Sequence, residues 1–338
     1  MTHRQLLHPK HTRSAGLILL LGAITVCGCR SGTVANPEQQ LAELKATAAA
    51  AEEAQRYNDA YIAYKQAAEL APNDFEVAYG LAETNTRLRN EVEAIDWVNT
   101  ALRLQPDNQD ALELKGRLYL SVGRLLEAIR VLEEVVARHP DHTLAWLNLS
   151  AAYHSSGRGR EALSAVLGAV KSAPDRAVPR FALGDLYYSR GELAKAESEY
   201  REAIARDDKH AGAYLRLADL YIKQKKDFKQ AREWALRSNE LYPGDGTAGE
   251  RAATALFMLD EREEAVNELA AVAEDHPQNY RLWMRLGNMY EDLDDTERAR
   301  AAYGFAAKFA PTEFRDADLR DRDKSTTGAP TADARNDA

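Results

Sequence analysis

Prolines recur in this sequence at a constant distance. Seven of them form two series with a spacing of 34 residues: Pro72, Pro106, Pro140 and Pro174, followed by Pro243, Pro277 and Pro311. The two series are separated by 69 residues, which is 34 plus 35, and Asp208 takes the position between them. Proline cannot continue a helix and biases its predecessor away from helical geometry, so each proline marks a helix end. A constant period of this length predicts a repeat architecture.

Alignment of the sequence on this period gives eight units, in which two positions are occupied only by residues with small side chains. The units start at Leu41, Phe75, Gln109, Thr143, Ala177, Ala211, Gly246 and Tyr280, and the sixth has one extra residue within "KQKKDFK". Position 20 is always alanine: Ala60, Ala94, Ala128, Ala162, Ala196, Ala231, Ala265 and Ala299. Position 8 is always small: Ala48, Ala82, Gly116, Ser150, Gly184, Ala218, Ala253 and Gly287. Small residues let two helix backbones approach closely, so both positions are predicted to be buried at helix crossings.

Each unit is predicted to contain two antiparallel helices. Positions 4, 7, 8 and 11 form one apolar stripe at helical spacing, and positions 20, 24 and 27 form another. Between the stripes, Gly123, Gly157 and Gly191 suit the left-handed residue that ends a first helix. In unit seven, Gly249 replaces the bulky fourth residue, which predicts a poorly packed hinge between units six and seven.

The repeated residues resemble a known family. The pattern of tetratricopeptide repeats is matched by Trp146, Leu149, Tyr153, Gly157, Ala162, Ala169 and Pro174, and also by "LGDLYYSRGELAKAESEYREA" and "LWMRLGNMYEDLDDTERARAAY". The resemblance covers about Leu41 to Glu313. It implies an all-α fold, a right-handed α-solenoid of about eight helical hairpins, with a concave face lined by the first helices. The units are 41–74, 75–108, 109–142, 143–176, 177–210, 211–245, 246–279 and 280–313.

The same resemblance implies a partner-binding groove at positions 2, 5, 9 and 12 of the first helices. In the middle units these positions include Leu144, Leu147, His154, Val178, Phe181, Asp185, Tyr188, Leu215, Asp219 and Ile222. An apolar floor with two carboxylates predicts a protein or peptide partner. The alternative is that bulky residues at positions 5 and 12 are a family habit and bind nothing in particular. The basic clamp with which some members grip a terminal carboxylate is absent, because Leu147, Ala182 and Gly212 stand at three of its places.

The N-terminal residues have the layout of a secretory signal. Residues 1–13 carry three basic residues and no acid, and the apolar stretch from Ala15 to Val26 is shorter than the roughly 20 residues that span a bilayer. "VCGC" resembles a bacterial lipobox, which implies a signal peptide over 1–28, lipidation of Cys29 and a lipid membrane partner. The alternative is an ordinary cleaved signal. Residues 29–40 are predicted to be a flexible tether, and 314–338 a short capping segment and disordered tail.

The composition and the spacing of cysteine and histidine residues argue against a nucleic-acid ligand, a metal site and catalysis. Acidic residues outnumber basic ones, 53 to 44, which disfavours nucleic acid. Both cysteines lie in the first thirty residues, and the histidines have no metal-ligand spacing. His154 alone faces the groove, without a nucleophile partner that spacing would predict. We therefore expect no catalytic residue, no cofactor and no metal site, and no enzymatic activity.

Three functions remain open at this point. The first is a membrane-anchored scaffold for cell-envelope assembly, in outer-membrane, pilus, secretion or polysaccharide export machinery. Arg30, rather than Asp, after the lipidated cysteine favours the periplasmic face of the outer membrane. The second is an adaptor that recruits or regulates an envelope protease or cell-wall hydrolase. The third is self-association through the C-terminal end, where Phe305 occupies a usually polar position.

Overall fold

The structure is a computed structural model that describes residues 36–244 and 246–311. Over these ranges the chain forms sixteen α-helices and one π-helical turn, with no strand. The first helices of the pairs are α1 (Pro37–Glu53), α3 (Phe75–Arg87), α5 (Gln109–Ser121), α7 (Thr143–Ser155), α9 (Ala177–Ser189), α11 (Ala211–Leu220), α13 (Thr247–Met258) and α15 (Tyr280–Glu291). The second helices are α2 (Tyr57–Leu70), α4 (Glu91–Leu104), α6 (Leu125–Arg138), α8 (Gly159–Ser172), α10 (Leu193–Arg206), α12 (Phe228–Leu241), α14 (Arg262–Asp275) and α16 (Thr296–Phe309).

The helices stack in chain order into a solenoid. Each helix packs against the helix before it and the helix after it. First helices of neighbouring units also contact each other. This is seen for the pairs α3 and α5, α5 and α7, α7 and α9, and α11 and α13. Since the first helices approach one another more closely than the second helices do, they line the inner, concave face. The predicted all-α solenoid of helical hairpins is confirmed.

The small positions lie at the tightest helix crossings, as predicted. All eight alanines at position 20 are fully buried. At position 8, a Cβ on Gly116 would lie 2.5 Å from Cγ of Leu132, and a Cβ on Gly184 would lie 2.6 Å from Cε1 of Tyr200. A large side chain at position 24 is therefore accommodated by glycine at position 8 of the same unit.

The first helices end in a left-handed residue throughout the array. Gly123, Gly157 and Gly191 have φ of 75°, 76° and 75°, which confirms their predicted role. The other five units place a residue with a side chain there: Gln55, Arg89, Lys226, Asp260 and Asp294, with φ between 54° and 68°. Each of these pays roughly 1–2 kcal/mol for a conformation that glycine adopts freely.

The extra residue of the sixth unit is absorbed at the end of its first helix. Helix α11 continues into the π-helical turn Tyr221–Lys225, and Lys226 follows with φ of 54°. A π-turn holds one more residue than an α-turn, so α12 starts without disturbing the stacking on either side.

The junction between units six and seven is packed, contrary to the sequence prediction. Gly249 is buried, and a Cβ there would lie 2.6 Å from Cγ2 of Val272 in α14. Ala235 of α12 and Ala252 of α13 are fully buried in one cluster. Within unit seven the glycine makes room for a neighbouring valine, and across the junction Ala235 packs with Ala252. The expectation of a poorly packed junction was therefore wrong, and a soft hinge at this place stays a prediction.

The N-terminal helix begins earlier than the sequence suggested. Asn36 caps α1 by accepting a hydrogen bond from the backbone N–H of Glu38, 3.3 Å away, and Pro37 occupies the first helical position. Residues 37–40 of the predicted tether are therefore helical. The predicted signal peptide 1–28, Cys29, most of the tether and the C-terminal segment 314–338 lie outside the described residues. Among the helices that are described, none is long and apolar enough to cross a membrane.

Candidate partner-binding groove

The middle of the concave face presents accessible apolar side chains. Leu144 on α7 and Val178 on α9 are 58% and 52% exposed. His154 is also exposed, near the C-terminal end of α7. The remaining predicted apolar residues of this face are half-buried: Leu147, Tyr188, Leu215 and Ile222. The concave face of α7, α9 and α11 therefore offers apolar surface to a partner.

Phe181 is less available than its position in the repeat suggested. Its ring centroid lies 4.7 Å from that of His210 and 5.9 Å from that of Tyr200, so it packs between α9, α10 and the start of α11. His210 is itself held in place, because its Nδ1 accepts a hydrogen bond from the backbone N–H of Ala213. Phe181 thus contributes the edge of a fixed aromatic cluster to the groove.

Both predicted groove carboxylates are already paired with arginine. Asp185 on α9 accepts a hydrogen bond from the Tyr200 hydroxyl at 2.8 Å, and its Oδ1 lies 2.9 Å from Nε of Arg216 on α11. Asp219 on α11 is buried, and its Oδ1 lies 2.6 Å from Nε of Arg251 on α13. Burial and the neighbouring Asp185 raise the pKa of Tyr200, which keeps its hydroxyl a donor. Both carboxylates are therefore neutralised by an arginine of the next first helix.

These ion pairs follow the repeat. An acid at position 9 of one first helix faces an arginine at position 6 of the next, which links α9 to α11 and α11 to α13. The repeat positions of Asp185 and Asp219 predict groove residues, whereas their pairing with arginine becomes visible only when two successive first helices are compared. The signal for pairing was present, since Arg216 and Arg251 occupy equivalent positions in consecutive units.

The acidic residues near the N-terminal end of the groove are also engaged. Glu113 on α5 is 6% exposed, accepts a hydrogen bond from the side-chain amide of Asn148 on α7, and has Nε of Arg117 3.5 Å away. Burial raises the pKa of Glu113. Nζ of Lys45 on α1 lies 2.6 Å from Asp74. Glu113 and both groove carboxylates thus each contact a side chain of the next first helix.

A metal-binding site on the concave face would need several ligating side chains close together. Within the two described ranges, no group of three or more His, Cys, Asp or Glu residues is placed to hold a metal ion. The groove combines exposed aliphatic side chains with neutralised ion pairs between them. Exposed apolar surface of this kind is typical of sites that contact another molecule.

The fold and groove define a class of protein, the α-solenoid built from helical hairpins. Family models described as tetratricopeptide repeat match residues 51–118, 114–177, 181–246 and 251–313. The chain belongs to the tetratricopeptide repeat family, whose fold is generally a non-catalytic scaffold for protein–protein interaction.

Solved structures share this fold at low sequence identity. A tetratricopeptide repeat protein from Parabacteroides merdae is 18% identical, with a TM-score of 0.53 over 75% of this chain and 98% of its own. PilF from Pseudomonas aeruginosa is 18% identical, with a TM-score of 0.52 over 64% of this chain and 99% of its own. The structure of the APC/C hetero-tetramer Cut9–Hcn1 gives 16% identity and a TM-score of 0.55 over 79% of this chain and 52% of the matched chain. No curated protein sequence matches this chain.

Proposed function

We propose that this protein is a lipid-anchored scaffold of the bacterial cell envelope that holds a protein partner in the middle of its concave groove. The observation that carries the proposal is the exposure of Leu144 and Val178 on two adjacent first helices. Full burial of a leucine or valine side chain contributes about 1.5–3 kcal/mol, and about half of each side chain is still exposed, so a partner that covers both would gain roughly 1.5–3 kcal/mol in total.

The neutralised ion pairs beside these residues favour an apolar stretch of the partner. Arg216 and Arg251 are held by Asp185 and Asp219 on the concave side. A charged partner side chain placed there would compete with an existing pair, which costs desolvation energy. We therefore expect the partner to present aliphatic or aromatic residues to α7 and α9.

Site-specific photocrosslinking in intact cells tests the groove. A photoreactive residue at Leu144 or Val178 should capture the same protein, in a defined band. The matched control is Val92 at the start of α4, which is 78% exposed and lies on a second helix. Capture of that protein equally well from Val92, or no common product from Leu144 and Val178, would contradict the proposal.

The membrane anchor rests on the N-terminal sequence and needs its own test. We expect Cys29→Ala to abolish lipid labelling and to release the protein from the membrane fraction, whereas Cys27→Ala should do neither. We place the mature protein at the periplasmic face of the outer membrane, and Arg30→Asp should shift it to the inner membrane. Retention of Cys29→Ala in the membrane, at wild-type level, would argue against lipidation at this residue.

The nature of the captured complex separates a scaffold from an adaptor. A stable complex of fixed stoichiometry in detergent supports the scaffold. A transient contact that changes the activity of a protease or cell-wall hydrolase supports the adaptor.

Self-association has one specific observation in its favour. Phe305 on α16 is 48% exposed, and its ring stacks on Trp283 at a centroid distance of 4.6 Å. Trp283 is buried, so Phe305 supplies the accessible apolar surface here. If copies associate there, Phe305→Ser should lower the mass of the purified protein measured by light scattering. An unchanged mass would argue against this contact.

A further inference from the structure

The outer face of the solenoid carries a pocket between units three and four, on the side opposite to the groove. Its volume is about 330 Å³, and helices α6, α7 and α8 line it. The side chains that matter here are Glu133 from α6, Trp146, Leu149 and Tyr153 from α7, and Glu161 and Ala165 from α8. This volume is at the lower end of the range of about 300–1,000 Å³ for ligand pockets, and it has room for a single long side chain.

The walls of the pocket are fixed. The indole N–H of Trp146 donates to the backbone carbonyl of Pro140 at 2.9 Å. The Trp146 ring also lies on the backbone of α8, because a Cβ on Gly168 would be 2.7 Å from Cδ2 of the ring. The Tyr153 hydroxyl donates a hydrogen bond to Glu133. The aromatic and acidic groups are therefore held in place before any partner arrives.

The pocket lies in a furrow, by which we mean the space between the second helices of two neighbouring units. In two other furrows of the solenoid, a cation of the chain occupies this space. Between units one and two, Nζ of Lys65 lies 5.3 Å from the ring centroid of Trp97 and 3.2 Å from Glu93. Between units five and six, the Arg201 guanidinium lies 5.5 Å from the ring centroid of Trp234. In both cases a cation at position 25 rests on a tryptophan at position 23 of the next unit.

The furrow between units three and four has two acids and the ring of Trp146, which stands at position 4, but it has no cation at position 25. Position 25 is Glu133 instead of lysine or arginine, and position 23 is Ala165 instead of tryptophan. Glu161 occupies the same position 19 as Glu93, the acid that binds Lys65.

Glu161 pairs with Arg158 at 2.9 Å, whereas no ion pair to Glu133 is present among the described residues. Arg158 already lies against one side of the pocket, 4.5 Å from the ring centroid of Tyr153, but its ion pair is with Glu161. Glu133 and Trp146 can therefore still take a cation from elsewhere.

We propose that this pocket binds the side chain of an arginine from a protein partner, with its guanidinium on Trp146 and paired with Glu133. Arginine fits better than lysine because its planar guanidinium stacks on an indole ring while it forms two hydrogen bonds to one carboxylate. This surface is separate from the concave groove, so it gives the protein a second contact site whether or not the groove binds as proposed.

Nuclear magnetic resonance on the full-length protein provides the test. The probe is the capped tripeptide acetyl-Gly-Arg-Gly-amide, with acetyl-Gly-Gln-Gly-amide as its neutral counterpart. The readout is the indole N–H resonance of Trp146, assigned with Trp146→Phe. We expect a saturable shift with the arginine peptide and none with the glutamine peptide.

Three variants make the result specific. Glu133→Gln should weaken binding of the arginine peptide about tenfold, which corresponds to about 1.4 kcal/mol. Glu133→Lys should abolish it, because a lysine at this position fills the furrow as Lys65 does. Glu134→Gln, on the same helix and paired with Arg138 at 2.8 Å, is the matched control and should leave binding unchanged.

The outcomes against the proposal are equally defined. An absent Trp146 shift, an equal shift with the glutamine peptide, or an equal loss in Glu133→Gln and Glu134→Gln would overturn it. A shift of the same resonance with protein concentration alone would show that a second copy fills the pocket, which would overturn the assignment to a separate partner. Thermal unfolding of each variant, followed by circular dichroism, verifies that the fold is retained.

Discussion

The ring of Tyr200 in α10 occupies the space beside Gly184 in α9 that a side chain would need, because a Cβ on Gly184 would lie 2.6 Å from Cε1 of the ring. Tyr200 is fully buried and cannot move outward without opening the crossing between the two helices. We predict that Gly184→Ala lowers the free energy of unfolding by about 1–3 kcal/mol, measured by urea denaturation.

Gly304 provides the control for this substitution. It lies in α16, and no atom outside its own helix backbone and chain neighbours is within 4 Å of a Cβ placed there. Gly304→Ala should therefore raise the free energy of unfolding by about 0.5–1 kcal/mol, as expected for an open helical site. Equal effects of the two substitutions would contradict the close crossing at Gly184.

The ion pair between Asp219 and Arg251 should contribute measurably to stability. Asp219 is 7% exposed, so loss of Arg251 leaves a buried carboxylate without its partner. We expect Arg251→Met to cost roughly 2–3 kcal/mol, with a coupling energy of about 1–3 kcal/mol in a double-mutant cycle with Asp219→Asn. The same cycle on Arg56 and Asp59, an exposed pair 2.9 Å apart, should give less than about 0.5 kcal/mol. A coupling at Asp219 no larger than at Asp59 would show that the pair does not join α11 to α13.

The turn after the first helix offers a stabilising substitution. Arg89 has φ of 63°, a conformation that costs roughly 1–2 kcal/mol for a residue with a side chain. We predict that Arg89→Gly raises the free energy of unfolding by about 1 kcal/mol, as measured in urea. The reverse change, Gly123→Ala, should lower it by a similar amount, although no neighbouring atom lies within 4 Å of the new Cβ. A neutral Gly123→Ala would indicate that the turn relaxes without strain.

The buried Glu113 should make stability depend on pH. Burial raises its pKa above the usual 4.5, so the folded state favours the protonated form. Its contribution to stability is therefore present below the usual carboxyl range and is lost as the pH rises through that range toward the folded pKa. Glu113→Gln keeps an oxygen that accepts from Asn148 and removes this titration.

Denaturation at about pH 4 and about pH 7 measures this effect. We expect the free energy of unfolding of Glu113→Gln minus that of the natural protein to be larger at about pH 7 than at about pH 4, which is an improvement with rising pH. The control is Glu43→Gln on α1, which makes the same change in net charge at an exposed residue. An improvement equal to that of Glu43→Gln would mean that net charge, and not burial, is responsible.

Much of the fold was predictable because the same residue pattern occurs in eight successive units. Ala162 alone would say little, but alanine at the equivalent position of every unit leaves only a buried helix crossing as an explanation. Gly123 was predictable for a local reason, since a left-handed residue between two helical stripes favours glycine.

Contacts between units were not predictable in the same way. The pairing of Asp185 with Arg216 depends on how closely the first helices approach, which a single unit does not encode. Contacts between the two helices of one unit were missed as well: the burial of Gly249 depends on Val272 in the following helix, so the glycine alone suggested a gap that the structure fills. The outer pocket was not predicted because it depends on which residues replace others. Glu133 stands where two other units have a cation, and Ala165 stands where the units that follow them have tryptophan.

Affinity measurements on the protein captured from the groove test the central claim most directly. The claim predicts that the double variant Leu144→Glu, Val178→Glu binds this partner at least tenfold more weakly than the natural protein, as measured by titration calorimetry. Val92→Glu, which adds an acid to an exposed residue of the outer face, should stay within about twofold. Binding by the double variant that matches the Val92 control would contradict the assignment of the groove as the binding site.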